Sequence, residues 1–380
     1  MHKKYRVGIV GVCHVHVHNV ATLFQRHPRV KLVACADTTP PVKELSEAPY
    51  TRAWNRDYLV KRLGIPKAHD DYRQMLDREK LDIVICNSEN SQHPEVVEAC
   101  GAAGVHVCVE KPMAANLRDA LQMVRAAEAH GITVLVHWYM PFAPLMLRAK
   151  ALLDEGAIGQ ILQVAMRAAH AGPLAPGVKH PGPNIETVSM TAAELASTWW
   201  YQTAAGGGAM IDFCSYGAMV SRWFIGQPAV AAIGLRANLR SQWSDADDNG
   251  LIIARFPKAI GVCEGSWTTL EPGAPGGPIV YGAEGTLVVD ERREQPAVMV
   301  IKGRGQTSSY EGVALGPNRQ TVAEELVHHL ETGEPLHPTL DARFNLEAMA
   351  ILDAGVRSAA SGMLELVSGP AWEIGRTSPV

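Results

Sequence analysis

The chain is predicted to be α/β: a doubly wound parallel sheet, followed by an α+β domain built on a large, mainly antiparallel open sheet. Three observations lead there. Residues 1–140 alternate strictly between short apolar runs and helical segments, which implies βαβ units. A proline-bearing stretch, Pro141-Phe142-Ala143-Pro144, then ends that alternation, and longer alternating stretches follow it. Finally, 380 residues at 47% hydrophobic and 19% charged suffice for two cores.

Taken in order, residues 5–10 form an apolar strand, 15–27 a helical segment and 31–36 a second strand. Residues 71–80 read as helix and 81–86 as strand. The segment 94–103 opens with proline, as helix first turns do, and stops before Gly104, after which 105–109 is strand. Residues 117–130 are the next helix, closed by Gly131, and 132–136 a sixth strand. Past the boundary come a helix at 145–155 and strands at 161–168, 229–236, 250–256, 259–268, 278–280, 285–289 and 297–301. Helices at 320–330 and 344–361 close the chain. Domains are accordingly expected at 1–140 and 141–380, and residues 171–198, rich in glycine and proline, read as a functional loop.

Composition excludes several roles. A net charge of −4 offers no basic field for nucleic acid. No apolar stretch suits a membrane span or a signal peptide, and the seven cysteines, none in a C-x-x-C pair, read as buried thiols, so a cytoplasmic protein is expected.

The strongest chemical signal is Glu110-Lys111-Pro112, which stops the strand 105–109. In an open parallel sheet the carboxyl end of a strand faces the ligand crevice, so Lys111 is placed to touch a cofactor and a substrate hydroxyl together. The nucleotide signal is Gly8-Ile9-Val10-Gly11-Val12-Cys13-His14-Val15-His16, between the first strand and a helix. The glycines of G-x-G-x-x-G let backbone approach a pyrophosphate and helix pack on strand; with Gly11 first, Cys13 and His16 replace the other two. Asp37, ending the second strand, is suited to ribose hydroxyls, and Thr38 and Thr39 follow it instead of arginine, which favours NAD over NADP. His14 and His18 share a helix face as zinc ligands can, but no third ligand stands at a recognisable spacing, so no metal is expected. The run Asp245-Ala246-Asp247-Asp248 lacks the pattern of a calcium loop and reads as a solvated turn.

These pieces resemble the Gfo/Idh/MocA oxidoreductase family, in the branch of glucose-fructose oxidoreductase and dihydrodiol dehydrogenase. The likeness spans nearly the whole chain. It rests on residues 6–11, Ala36-Asp37, residues 90–93 (Asn-Ser-Gln-His), Glu110-Lys111-Pro112, residues 156–159, Gly206-Gly207-Gly208 through Asp212, residues 282–285 and Ser361-Gly362. The resemblance implies a Rossmann domain, a nicotinamide cofactor, sugar or polyol substrates, and a lysine often followed by a cis proline.

Asp212 and Tyr216 stand four apart, hence on one helix face. The family more often has histidine at the place of Tyr216; the resembling branch has tyrosine, regarded as its acid/base group. The expected catalytic set is therefore Tyr216 as proton shuttle, its phenol made more acidic by Lys111, with Asp212 as orienting group. Expected cofactor contacts are Gly8, Gly11, Val12, Cys13, His14, Asp37, Ser88, Asn90, His93, Glu110 and Lys111. Strand ends put His137 and Trp138 in the crevice; His170 and Trp199 are placed to offer a sugar a polar grip and an aromatic platform. The family's usual Thr-Pro-Asn is replaced by Ser88-Glu89-Asn90, and its Gly-x-Asn-x-Arg-Phe by residues 137–142. The reaction expected is NAD-dependent hydride transfer to or from a secondary alcohol or ketone of a sugar, cyclitol or glycoside. A non-catalytic nucleotide-binding regulator, and an enzyme that recycles bound NAD within one turnover, remain alternatives. The open sheet calls for a homodimer or homotetramer.

Overall fold

A computed structural model describes residues 3–271 and 275–367. The first sheet is assembled from β1 (Tyr5–Val10), β2 (Val30–Ala36), β3 (Ala68–His69), β4 (Ile83–Cys86), β5 (His106–Glu110) and β6 (Val134–His137). All pairings are parallel, in the order β3-β2-β1-β4-β5-β6. That order reverses beside β1, and ligands bind doubly wound sheets at such a switch point. The strands are buried on both faces, as helix-covered parallel sheets require.

The helices between these strands are α1 (Val17–Arg26), α2 (Arg52–Lys61), α3 (Tyr72–Glu79), α4 (His93–Ala102) and α5 (Leu117–His130). Helix α5 keeps the bounds its sequence implies: Asn116 caps Asp119 N–H, and Gly131 closes it in the left-handed conformation. Helix α2 carries no readable signal, being mostly polar with three buried residues, Arg52, Asn55 and Leu59.

After α6 (Pro144–Asp154) the chain builds a nine-stranded sheet from β7 (Ile161–Ala169), β8 (Ala231–Ala237), β9 (Asn249–Arg255), β10 (Ile260–Ser266), β11 (Ile279–Gly282), β12 (Thr286–Asp290), β13 (Ala297–Lys302), β14 (Gln306–Tyr310) and β15 (Glu365–Leu366). Its order is β14-β13-β12-β11-β7-β10-β9-β8-β15, antiparallel except for β7 with β10. Between β7 and β8 run the short α7 (Ala192–Ala196) and the long α8 (Ala209–Ile225); α9 (Val322–Thr332) and α10 (Ala342–Ser361) precede β15.

Helices α8 and α10 cover one face of this sheet so closely that glycine is required. A Cβ on Gly217 of α8 would lie 2.5 Å from Cys263 Cβ, and one on Gly234 of β8 would lie 2.1 Å from the Gly355 carbonyl. The two sheets are tied through α10: Asn345 Oδ1 accepts from Trp138 Nε1 at 2.6 Å, and Asp353 caps the Leu117 N–H at 3.2 Å. Asp247 and Asp248 are buried and not a solvated turn. Asp247 accepts from Met210 N–H at the start of α8, and Asp248 from the N–H groups of Leu239, Arg240 and Ser241. Backbone donors at a helix start and in a tight turn demanded acceptors, and the acidic run supplied them.

Candidate active site

Lys111 directly follows β5 at the carboxyl edge of the first sheet, ahead of a cis peptide bond to Pro112. Opposite it stands the first turn of α8, where Gly208 at φ 110° starts the helix and points Asp212 and Tyr216 at the lysine. Lys111 Nζ donates to Asp212 Oδ1 at 2.6 Å and lies 4.4 Å from the centre of the Tyr216 ring. Asp212 Oδ2 accepts from Trp267 Nε1 at 3.2 Å. Both charges are buried, Lys111 at 3% and Asp212 at 6% exposure, so each needs the other. Burial disfavours the ammonium, but Asp212, Tyr216 and Glu110 outweigh it, and the pKa of Lys111 is raised.

The phenol does not behave as the sequence suggests. Burial pushes the pKa of Tyr216 up, and Asp212 adds to it, whereas Lys111 lowers it too little to compensate. The ammonium lies over the ring face, where it pins the ring by a cation–π contact. Trp138 packs edge-on against Tyr216 at 5.3 Å with its indole N–H spent on Asn345. Trp138 thus braces the phenol ring.

A cavity of about 270 Å³ opens over this triad and is reached by His14, His16, Tyr139, His170, His180 and Trp200. Of the expected substrate residues, His170 lines it. His137 instead meets Glu110 Oε2 at 3.4 Å, and Trp199 lies beneath Trp200 with its N–H on the Cys13 carbonyl at 3.1 Å. His180 and Arg292 also line the cavity and were missed, because both come from loops far along the chain whose approach no local spacing encodes.

Glu110 is enclosed by imidazoles: Oε1 meets His16 Nδ1 at 3.2 Å and Oε2 meets His137. Burial opposes its charge, yet His16, His14 and His137 hold its pKa well below the usual carboxylate range. His14, His16 and Glu110 bring ligand-type atoms within 4.8 Å of one another, the group of metal-ligand character among the described residues. Hydrogen bonds already link them: His14 Nδ1 accepts from His16 N–H at 3.1 Å, and both Glu110 oxygens face imidazoles, while His14 Nε2 is without a partner. The cluster reads as a hydrogen-bonded brace for the Gly11 loop.

The dinucleotide groove fits its expected ligand in kind. Gly11 adopts φ 79°, and a Cβ there would fall 2.3 Å from Ser88 N. Asn87 Oδ1 and Asn90 Oδ1 are buried along β4's carboxyl edge without partners, as a polar ligand's contacts would be before it binds. The loop itself is covered by the chain: Cys13 and His14 are 1% exposed, Trp199 bonds the Cys13 carbonyl and Trp200 packs at a tilt against His14 with ring centres 4.8 Å apart.

Several expected contacts lie inside the wall instead. Gly8 sits under Leu81 within the sheet, and the Cys13 thiol donates to the Asn87 carbonyl. Ser88 is fully buried, and both ring nitrogens of His93 face backbone carbonyls, Met113 at 3.0 Å and Ser88 at 3.1 Å. Asp37 Oδ1 holds Val12 N–H and Thr38 N–H, and pairs with Arg52 at 2.7 Å. Arg52 arrives from α2 and also pairs with Glu44 and Glu89.

Residues 5–138 match a family described as "Oxidoreductase family, NAD-binding Rossmann fold", and residues 146–288 match the "GFO/IDH/MocA C-terminal domain". The chain is 23% identical over 284 residues to myo-inositol 2-dehydrogenase of Thermotoga maritima, covering 73% of this chain and 78% of that protein. It is 24% identical over 358 residues to the NAD+-dependent scyllo-inositol 2-dehydrogenase of Bacillus subtilis, covering 91% and 92%. In fold it is similar to the aldose-aldose oxidoreductase from Caulobacter crescentus complexed with glycerol, at TM-score 0.73 and 20% identity over 96% of this chain and 100% of that one.

Proposed function

The chain belongs to the Gfo/Idh/MocA oxidoreductase family, and from that premise we propose an NAD-dependent dehydrogenase or reductase acting on a secondary alcohol or ketone of a sugar, cyclitol or related glycoside. The observation that carries this reading is the buried meeting of Lys111, Asp212 and Tyr216 across the two sheets. We assign residues 1–140 to the cofactor and 141–380 to substrate and assembly, a homodimer or homotetramer through the second sheet. Seven buried free cysteines suit a reducing cytoplasm.

NAD, when bound, accepts or returns the hydride. Gly11, Asp37 and the carboxamides of Asn87 and Asn90 would hold it; the three carboxylates gathered around Arg52 disfavour a 2′-phosphate. Tyr216, a neutral phenol at neutral pH, gives its proton to the carbonyl oxygen in reduction and takes the hydroxyl proton back as phenolate in oxidation. Lys111 stabilises that phenolate, and Asp212 keeps Lys111 in place. A regulator would not need this relay, so the enzyme is favoured over a sensor.

The test screens sugars, cyclitols and glycosides with NAD and NADP by nicotinamide absorbance, beside Tyr216→Phe. That variant is expected to lose turnover by roughly 10²–10⁴-fold while still binding NAD. Equal turnover by both proteins would remove Tyr216 from the mechanism.

A further inference from the structure

Two imidazoles in the cavity wall are held in opposite tautomers. His170 directly follows β7, where its backbone N–H donates to the Ser266 carbonyl at 3.0 Å. Gly172, at φ 117°, turns the chain so that its own N–H donates to His170 Nδ1 at 2.8 Å. A neutral imidazole has one proton and one lone pair, so with Nδ1 accepting, the proton of His170 sits on Nε2. His180 is fixed the other way. Its Nε2 lies 2.7 Å from the Pro173 carbonyl, which can only accept, so Nε2 carries the proton and Nδ1 the lone pair. Burial lowers the pKa of each ring to about 4, and both are neutral at neutral pH.

Each ring therefore keeps one nitrogen in reserve, a donor on His170 and an acceptor on His180. Neither nitrogen has a hydrogen-bond partner among the described residues, and neither is sealed off as His14 Nε2 is. Both rings line the cavity over the triad. His170 packs edge-on against Phe213, the residue after Asp212, with ring centres 4.6 Å apart, which sets it beside the reacting centre. A hydroxyl is the group that gives and takes a hydrogen bond through one oxygen. An ether or a fluoride only accepts, and would leave His180 Nδ1 facing no proton.

We propose that His170 and His180 are specificity-determining residues that together hold one free hydroxyl of the substrate, on a carbon neighbouring the reacting one. His170 Nε2–H donates to its oxygen, and the hydroxyl donates to His180 Nδ1. The proposal rests on the dehydrogenase reading above and adds what the site demands of the carbon beside the one oxidised. An unmodified vicinal diol meets that demand; its deoxy, deoxyfluoro and O-methyl analogues do not.

The experiment takes myo-inositol, D-glucose and methyl β-D-glucoside, with the monodeoxy, monodeoxyfluoro and mono-O-methyl derivatives of each, and NAD as oxidant. For a parent that turns over, one position besides the reacting one is expected at which all three changes cut kcat/KM by at least about 100-fold. His170→Leu and His180→Leu should each shrink that margin to under about tenfold. His170→Gln returns an N–H at the place of Nε2, and His180→Asn an oxygen at the place of Nδ1, so both should widen it again. A margin that persists in both leucine variants, or turnover indifferent to every derivative, would overturn the proposal and leave the dehydrogenase reading standing. If NAD binds and no parent turns over, the dehydrogenase reading fails for these compounds, and calorimetry on the NAD-loaded protein decides the hydroxyl claim. It survives only if a parent binds and one of its deoxy derivatives binds at least about tenfold more weakly in wild type but not in the leucine variants; with no parent bound it falls as well.

Discussion

At the residue scale, the lysine, aspartate and tyrosine were legible because each is fixed by a local pattern: a strand end, a glycine-opened helix and a four-residue step. What the sequence withheld was the medium around them. Burial outweighs the effect of Lys111 on Tyr216, and burial is a property of the packed chain. The pair Lys111–Asp212 gives a first prediction. Lys111→Met leaves a buried carboxylate without its cation and should cost about 3–5 kcal/mol of stability. Adding Asp212→Asn removes the orphaned charge, so the double variant should regain most of its denaturation midpoint and none of its turnover. A double variant as active as wild type would exclude Lys111 from the chemistry. Asp37 was also read correctly as a strand-end carboxylate, but its partner Arg52 was not legible, since the polar helix that carries it has no apolar stripe. In that cluster burial raises the pKa of Glu44 to about 7 from the usual 4.5. The folded state therefore binds the proton more tightly than the unfolded chain, and this group's contribution to stability falls as pH rises from about 4.5 to about 7 and is level above. Glu44→Gln should flatten that slope, by on the order of 2 kcal/mol across the window, in urea titrations at stepped pH. Parallel curves for the two proteins would contradict the assignment.

At the element scale, helices and strands with a periodic apolar face came through within a residue or two. Those missed were the polar α2, the five-residue α7, the edge strand β14 and the two-residue β3 and β15, which carry too few buried side chains to mark themselves. The glycine- and proline-rich segment 171–198 brings Pro173 and His180 to the cavity, but its continuation matters more. Trp199 and Trp200 lie across the Gly11 loop, and Gly207 is what lets them join α8: a Cβ there would fall 2.3 Å from the Trp200 carbonyl and 2.4 Å from that of Trp199. Cofactor entry consequently has to move this aromatic pair. The Trp199 bond to the Cys13 carbonyl is worth roughly 1 kcal/mol. Trp199→Phe should then speed NAD association several-fold in stopped-flow fluorescence, and NAD should deprotect residues near 199–200 in hydrogen exchange. An unchanged association rate would mean that the pair is a fixed wall.

At the scale of the whole molecule, the second sheet has an inner face under α8 and α10 and an outer face with no cover among the described residues. Register places Ile233, Ile253, Val262, Ala165 and Ile279 in one row across five adjacent strands of that outer face. Leu235 pairs with Leu251 in the next row. Ile233, Leu235 and Ile253 are 43%, 69% and 39% exposed, and Ile260 and Tyr281 on the same face are 43% each. A contiguous apolar surface of this kind is uncommon on a monomer and marks an association site. Because the sheet is a single continuous surface, a two-fold packing of face on face covers it with one contact type, which is the self-complementary arrangement of most homodimers. Leu235→Glu and Ile253→Lys place charges in its middle and touch neither the triad nor the covered face, so the fold should persist while association is lost. Sedimentation velocity should show wild type as a dimer or tetramer and the double variant as a monomer with unchanged circular dichroism. Should wild type sediment as a monomer at micromolar concentration, or the double variant keep its assembly, the outer face would have to be serving something other than a second copy of the chain.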